Sequence, residues 1–160
     1  MKLVLVILLI FSSIYVYSET IEEAEAFDLW ISEAYSVKKL VNESDVLDLG
    51  VLLQKTEEDY SVGHSTHKLK SVTYVFEQIS ISALVEQTEI KKVYIFKAKI
   101  LSSNLKLPNG IAINSPIRDL AILPVKPDEQ TLNYCGVNNC IKFAADNGIV
   151  NSITINLYVD

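Results

Sequence analysis

Few residues in this chain are of types that do chemistry, and their spacing limits what each could do. Both cysteines stand in Tyr134-Cys135-Gly136-Val137-Asn138-Asn139-Cys140-Ile141. Two thiols could form half of a metal site, a redox pair or a structural bridge. A structural zinc wants four ligands, and no second Cys or His pair lies in this part of the chain. A redox pair is set closer together than Cys135 and Cys140 are. In an oxidising compartment, two cysteines flanking Gly-Val-Asn-Asn fit a disulfide that closes a hairpin loop. The histidines stand in His64-Ser65-Thr66-His67. On a helix this spacing would put two metal ligands on one face, with Glu58 and Asp59 near in sequence. Gly63 precedes the pair and the stretch reads as a connection, which favours solvated histidines over a metal centre. Asp59 and Asp119 could act as an acid and a base. Each falls in the expected first turn of a short helix, where a carboxylate meets free N–H groups, so capping is favoured. No serine sits in a Gly-x-Ser-x-Gly elbow, and the glycines form no phosphate-cradling loop. No catalytic constellation and no cofactor are expected.

The elements that must position these residues begin with an export leader. Met1-Lys2 is followed by the unbroken apolar run Leu3 to Phe11, and Val16 and Ser18 fit a small-residue cleavage site. Residues 1–18 therefore read as a secretory signal peptide, cut after Ser18. The competing reading is an uncleaved anchor, but Leu3 to Tyr17 is shorter than the roughly 20 apolar residues of a spanning helix. The chain is expected to be exported, periplasmic or secreted, with no stable membrane anchor after cleavage. Its 160 residues and 49% apolar content can bury a real core. A net charge of −6 argues against nucleic acid and predicts a basic partner.

Residues 19–45 are expected to form an N-terminal helix and a loop. Ile21, Ala24, Phe27, Ile31, Ala34, Val37 and Val41 recur at helical spacing, with Thr20 and Glu23 as a capping box. A strand at 27–31 competes, because 27, 29 and 31 also alternate. Trp30 is assigned to packing. Asn42-Glu43-Ser44 matches the glycosylation triplet, and Asn42 to Asp45 reads as a loop.

The remainder reads as two copies of one unit, 46–105 and 106–160. Sliding 46–100 over 106–160 sets Leu47 on Leu107, Gly50 on Gly110, Tyr74 on Tyr134, Ile81 on Ile141 and Ile95 on Ile155. Each unit is expected to run from a short strand (50–53, 110–113) through a short helix (Thr56 to Asp59; Ser115-Pro116 onward) to a meander of three strands. Ile141, Phe143 and Ala145 alternate with Lys142 and Ala144, and Ile153, Ile155, Leu157 and Val159 with Thr154, Asn156 and Tyr158, around Asn147-Gly148, the strongest short hairpin signal. The predicted fold class is α+β: two tandem strand–helix–meander units forming one antiparallel sheet, with helices on one face.

Ile111-Ala112-Ile113-Asn114-Ser115-Pro116-Ile117-Arg118-Asp119-Leu120, and its counterpart from Val51 to Tyr60, run a strand into a capped helix. This resembles the strand–glycine–Met–Ser–helix signature of small exported bacterial domains. Those domains include outer-membrane assembly lipoproteins of the SmpA/OmlA type and the tandem-repeat β-lactamase inhibitor proteins. Gln54 and Asn114 replace the signature glycine, and Ile122-Leu123-Pro124 stands for its later Leu-Gly-x-Pro. The resemblance implies an α+β fold, no catalysis and work by protein binding.

Tyr94 and Phe96, with Tyr158 in the second unit, fall on the strand faces opposite Val93 and Ile95. An aromatic sheet face rimmed by Lys91, Lys92, Lys97 and Lys99 would suit protein binding, unless residues 19–41 cover it. The expectation is a non-catalytic exported protein-binding domain, an inhibitor or immunity-type protein ahead of an envelope-assembly factor. Its rivals are a small metal-dependent enzyme or metal-binding protein using His64, His67 and nearby acids, and a binder of a small apolar ligand between sheet and N-terminal helix.

Overall fold

The computed structural model describes residues 21–31, 41–61, 68–123, 125 and 132–158. The expected leader, residues 32–40 of the expected helix and the His64/His67 segment lie outside the described residues. The structure is of mixed α+β type and is built on a seven-stranded antiparallel sheet of order β1-β2-β3-β4-β7-β6-β5. The strands are β1 Leu52–Tyr60, β2 Leu69–Phe76, β3 Ile79–Glu86, β4 Val93–Ile100, β5 Asn133–Cys135, β6 Cys140–Asp146 and β7 Ile149–Asn156. β2-β3-β4 and β5-β6-β7 are each an up-and-down meander, and they meet where β4 pairs with β7.

Period-two alternation decides which face is buried. Tyr74 pairs with Ile81, Ile81 with Ala98, Ala98 with Ile155 and Ile155 with Ile141. All five are nearly or wholly buried, so one apolar row crosses both meanders. Three pieces cover that face. Residues 21–31 are helical (α1) and bury Phe27 and Ile31 completely, with Trp30 stacked on Phe27 at 5.5 Å. The segment 101–123 adds Leu107, Ile111, Leu120 and Leu123 to the same cluster. The short helix α2, Glu43–Leu47, sets Val46 into a second cluster around Val72, Tyr74 and Ile95. Full burial of a side chain such as Phe27 contributes about 1.5–3 kcal/mol. Phe27 and Ile31 occupy the ground between helix and sheet where a small apolar ligand would have to sit.

Several local expectations are corrected. Asn42 to Asp45 is not a loop: Asp45 Oδ2 accepts from Val41 N at 3.0 Å and Asn42 N at 2.9 Å, and this back-bond starts α2. Thr56 to Asp59 is not a helix but the middle of β1. Its pairing with β2 runs unbroken from Gln54↔Val75 to Tyr60↔Leu69, and a cross-strand ladder outweighs a cap signal from one threonine and one acid. Residues 110–113 are not a strand but a turn, closed by Gly110 N and Leu107 O at 2.8 Å and by Leu107 N and Ile111 O at 2.8 Å. Asn114, at the signature glycine position, holds a left-handed φ of 76°, whereas Gln54 lies in an extended strand. The second short helix is a 3-10 turn, Ile117–Ile122, with Pro116 at its N-cap. Ser115 does not cap it; its Oγ accepts from Ala112 N at 3.0 Å. At the β6–β7 turn Asn147 and Gly148 take φ of 50° and 76°, the positive pair that a two-residue hairpin requires.

Candidate functional site

With α1, α2 and segment 101–123 on one side of the sheet, the other side is left uncovered by any described helix. Register places its residues in two rows. Thr73, Ser82, Lys97, Asn156, Cys140 and Cys135 pair in succession from β2 to β5, and β1 adds Thr56. One step along the strands, Val75, Ser80, Lys99, Thr154, Lys142 and Asn133 do the same, and β1 adds Gln54. Thr73 Oγ1 and Ser82 Oγ lie 3.0 Å apart and share a hydrogen bond. Lys97, Lys99 and Lys142 are exposed, and among the described residues none of them is ion-paired.

The three aromatic residues singled out from the sequence lie beside these rows. β4 carries a bulge: Ser82 pairs with Lys97 and Ala83 with Ile95, which leaves Phe96 as the extra residue. Alternation from Val93 and Ile95 already sets Phe96 opposite the covered side, and the bulge brings Lys97 over as well, so Phe96 and Lys97 both follow the uncovered side. Tyr94 is half-buried; its hydroxyl donates to Glu86 Oε1 at 2.7 Å, and that bond raises its pKa. Leu157 N donates to Phe96 O at 2.9 Å, carrying the β4–β7 ladder one residue past Asn156 and bringing Tyr158 level with the bulge. Tyr158 is 64% exposed. Of the expected lysine rim, Lys97 and Lys99 are on this face. Lys91 is not: its Nζ bonds Glu43 Oε2 at 2.8 Å on the covered side. Lys142 was missed because alternation alone does not say which strand lies next to β4.

The two cysteines are joined, Cys135 to Cys140, directly across the β5–β6 pair. Gly136 N donates to Asn139 O at 2.9 Å and tightens the loop they close. That loop is a receptor for α1. Asp28 accepts from Asn138 N and Asn139 N, both at 2.8 Å, one on each carboxylate oxygen. Gly136 lies so close to Asp28 and to the Ala24 carbonyl that no side chain fits there. Asn139 Oδ1 also accepts from Tyr158 N at 3.1 Å, so one loop ties the helix to the end of β7.

On the covered side a charged cluster is centred on Glu43, which is 9% exposed. Tyr74 Oη and Lys55 Nζ donate to Oε1 and Lys91 Nζ to Oε2, each at 2.8 Å. Lys55 also reaches Glu57 Oε1 at 2.6 Å, and Lys70 reaches Glu57 Oε2 at 2.8 Å. Burial pushes the Glu43 carboxyl up, but the bonds from Lys55, Lys91 and Tyr74 outweigh it and hold the pKa at about 2. Burial and the Glu43 bond raise the Tyr74 hydroxyl. Lys55 is lowered by burial but raised on balance by its two carboxylates. Every one of these shifts leads away from neutrality, the reverse of what an acid or base working near pH 7 needs. The cluster is an anchor for α2. Nothing in the sequence marked it, since Glu43, Lys55, Tyr74 and Lys91 meet only through the sheet.

Asp59 is exposed on β1 rather than in a helix turn, and Asp119 sits in the 3-10 turn with Arg118 Nε at 3.9 Å. The two share no element. Among the described residues no helix is long and apolar enough to cross a membrane.

No family profile matches the chain, and no curated protein matches it. Among solved structures, the crystal structure of the uncharacterized protein yfeY from Escherichia coli aligns at 13% identity with a TM-score of 0.40. The alignment covers 72% of this chain and 88% of that one.

Proposed function

We propose that this chain is a non-catalytic, exported protein-binding domain, of the inhibitor or immunity type ahead of an envelope-assembly factor. The uncovered sheet face carries the proposal: Tyr94, Phe96 and Tyr158 gather there around a bulge, beside hydrogen-bonding rows on a rigid scaffold. Aromatic anchors set in a polar surround are the usual anatomy of an interface. Export is supported by the apolar leader-like start and by the disulfide, which persists in oxidising compartments. The Glu43 cluster is read as structural and not as an acid–base site, because its groups are held charged or protonated away from neutrality.

The proposal extends to a tandem origin. Tyr74/Tyr134, Ile81/Ile141 and Ile95/Ile155, which align when one half is slid over the other, fall on β2/β5, β3/β6 and β4/β7 in the same order. Each meander's last strand is also the one that joins the other meander.

The test is photo-crosslinking in the native envelope, with a photoreactive residue at position 96 and, as control, at exposed Ile122. A discrete protein adduct from position 96 only, lost in a Tyr158→Ser background, is expected. Equal adducts from both positions, or none from 96, would defeat the proposal.

A further inference from the structure

We infer that the partner of this face is an acidic protein segment, despite the chain's own net charge of −6. The inference rests on the protein-binding reading above and adds the partner's chemistry. The whole-chain charge predicts a basic partner, but a partner meets a surface and not a sum. The two cross-sheet rows hold Lys97, Lys99 and Lys142 and no acid. The acids on this side, Glu58, Glu86 and Asp146, sit near strand ends, and Glu86 is engaged by the Tyr94 hydroxyl. The surplus of acid lies elsewhere, and part of it is neutralised on the covered side, where Glu43 and Glu57 hold Lys55, Lys70 and Lys91. Lys55, Lys70 and Lys91 are thus held by internal carboxylates, whereas Lys97, Lys99 and Lys142 share one face and, among the described residues, are not ion-paired.

The spacing suits carboxylates carried on a protein. Lys97 and Lys99 are two residues apart on one strand, about 7 Å along it. Lys99, Thr154 and Lys142 are in register on three adjacent strands, which sets the outer two about 10 Å apart. Thr154 stands between Lys99 and Lys142, with Asn156 and Ser82 on either side of Lys97; these can bond a peptide backbone, and Phe96 at the bulge gives an apolar anchor next to Lys97. A bare anionic surface would use the charge alone; a segment with acids flanking an apolar residue would use charge, hydroxyls and ring together.

The probe is a synthetic peptide alternating glutamate with tyrosine, titrated into isotope-labelled full chain and followed by amide chemical shifts. Its lysine-for-glutamate counterpart and phosphatidylglycerol vesicles are run beside it. The glutamate peptide is expected to shift Lys97, Lys99, Lys142, Thr154 and Asn156. Its Kd should weaken about tenfold from low to physiological salt, and about tenfold or more in Lys97→Gln/Lys99→Gln/Lys142→Gln. The idea is overturned by shifts outside these rows, by equal binding of the lysine peptide, by binding to the vesicles alone, or by an unchanged Kd in the triple variant. Thermal melting of that variant checks that it is folded, and Lys142→Gln alone, expected to weaken binding by a few-fold, replaces it if it is not. The position-96 crosslink separates the two readings. If the adduct persists in the lysine variants and only Tyr158→Ser removes it, protein binding stands and the acidic partner falls.

Discussion

Glu43 shows how one residue can anchor an element without being marked in the sequence. Its carboxylate satisfies two lysines and a tyrosine at 2.8 Å each, with the chain between α1 and the sheet pinned at that point. Glu43→Gln keeps the shape but leaves Lys55 and Lys91 without their counter-charge. Breaking a buried pair from one side costs about 3–5 kcal/mol, and the partly exposed lysine heads reduce this to about 1–3 kcal/mol. Urea unfolding at neutral pH measures it. The pH dependence has a definite sign. Glu43 titrates near 4.5 when unfolded and at about 2 when folded, so its contribution is complete above pH 4.5 and is lost as pH falls toward 2. The wild-type chain should lose stability steeply over that window, and Glu43→Gln should show a shallower limb. Parallel limbs in the two proteins would remove Glu43 from the account. A second residue-scale contact is that of Asp28 with the loop at 136–139. Asp28→Ala removes two charge-assisted bonds and should cost about 1–3 kcal/mol, while Gly136→Ala forces helix and loop apart and should cost about as much. A Gly136→Ala protein as stable as wild type would show that α1 is not seated there.

At the scale of elements, the disulfide matters for what it holds in place more than for the ring it closes. A ring this short should stabilise by roughly 2 kcal/mol at most. Its loop, however, receives Asp28 and, through Asn139, the end of β7. Cys135→Ser/Cys140→Ser is therefore expected to change global stability little and local protection more. Amide exchange should quicken in residues 21–31 and 136–139 while β3 and β4 keep their wild-type rates. Uniform quickening would reduce the bridge to a general staple. The sequence already carried the hairpin and its bridge, because Asn147-Gly148 and the cysteine spacing are local signals with local causes. It carried the meanders too, because period-two alternation survives wherever one face is buried. It misplaced the elements fixed by distant partners. Thr56 to Asp59 has the letters of a helix cap but is a strand because β2 lies beside it. Asn42 to Asp45 has the letters of a loop but is a helix that Lys55, Lys91 and Tyr74 hold by Glu43. For the candidate face, Tyr94, Phe96 and Tyr158 were legible from alternation. Lys142 was not, because it joins Lys99 only through the β4–β7 pairing, which no local signal encodes.

For the whole molecule, that pairing is the seam. β3–β4 and β6–β7 are each joined through seven residue pairs, with one bulge apiece, whereas β4–β7 has four, Lys97↔Asn156 to Ile100↔Ile153. The apolar face is likewise divided into two clusters, one under α1 and segment 101–123 and one under α2. Two side chains, Ile79 and Leu157, pack against both. If those two join the halves, the chain should unfold as one unit only while they are intact. Trp30, the single tryptophan, packs on the first of these clusters, so its fluorescence follows that half. Far-UV circular dichroism follows all seven strands. In the wild-type chain the two signals should give one coincident urea transition. In Ile79→Ala/Leu157→Ala the loss of packing at the seam should lower stability by several kcal/mol and pull the two midpoints apart. Coincident transitions in both proteins would mean that the continuous sheet alone couples the halves. Separate transitions already in the wild type would mean that the meanders fold as independent units, and that the aromatic and lysine residues of β4, β6 and β7 are held together only while the seam is closed.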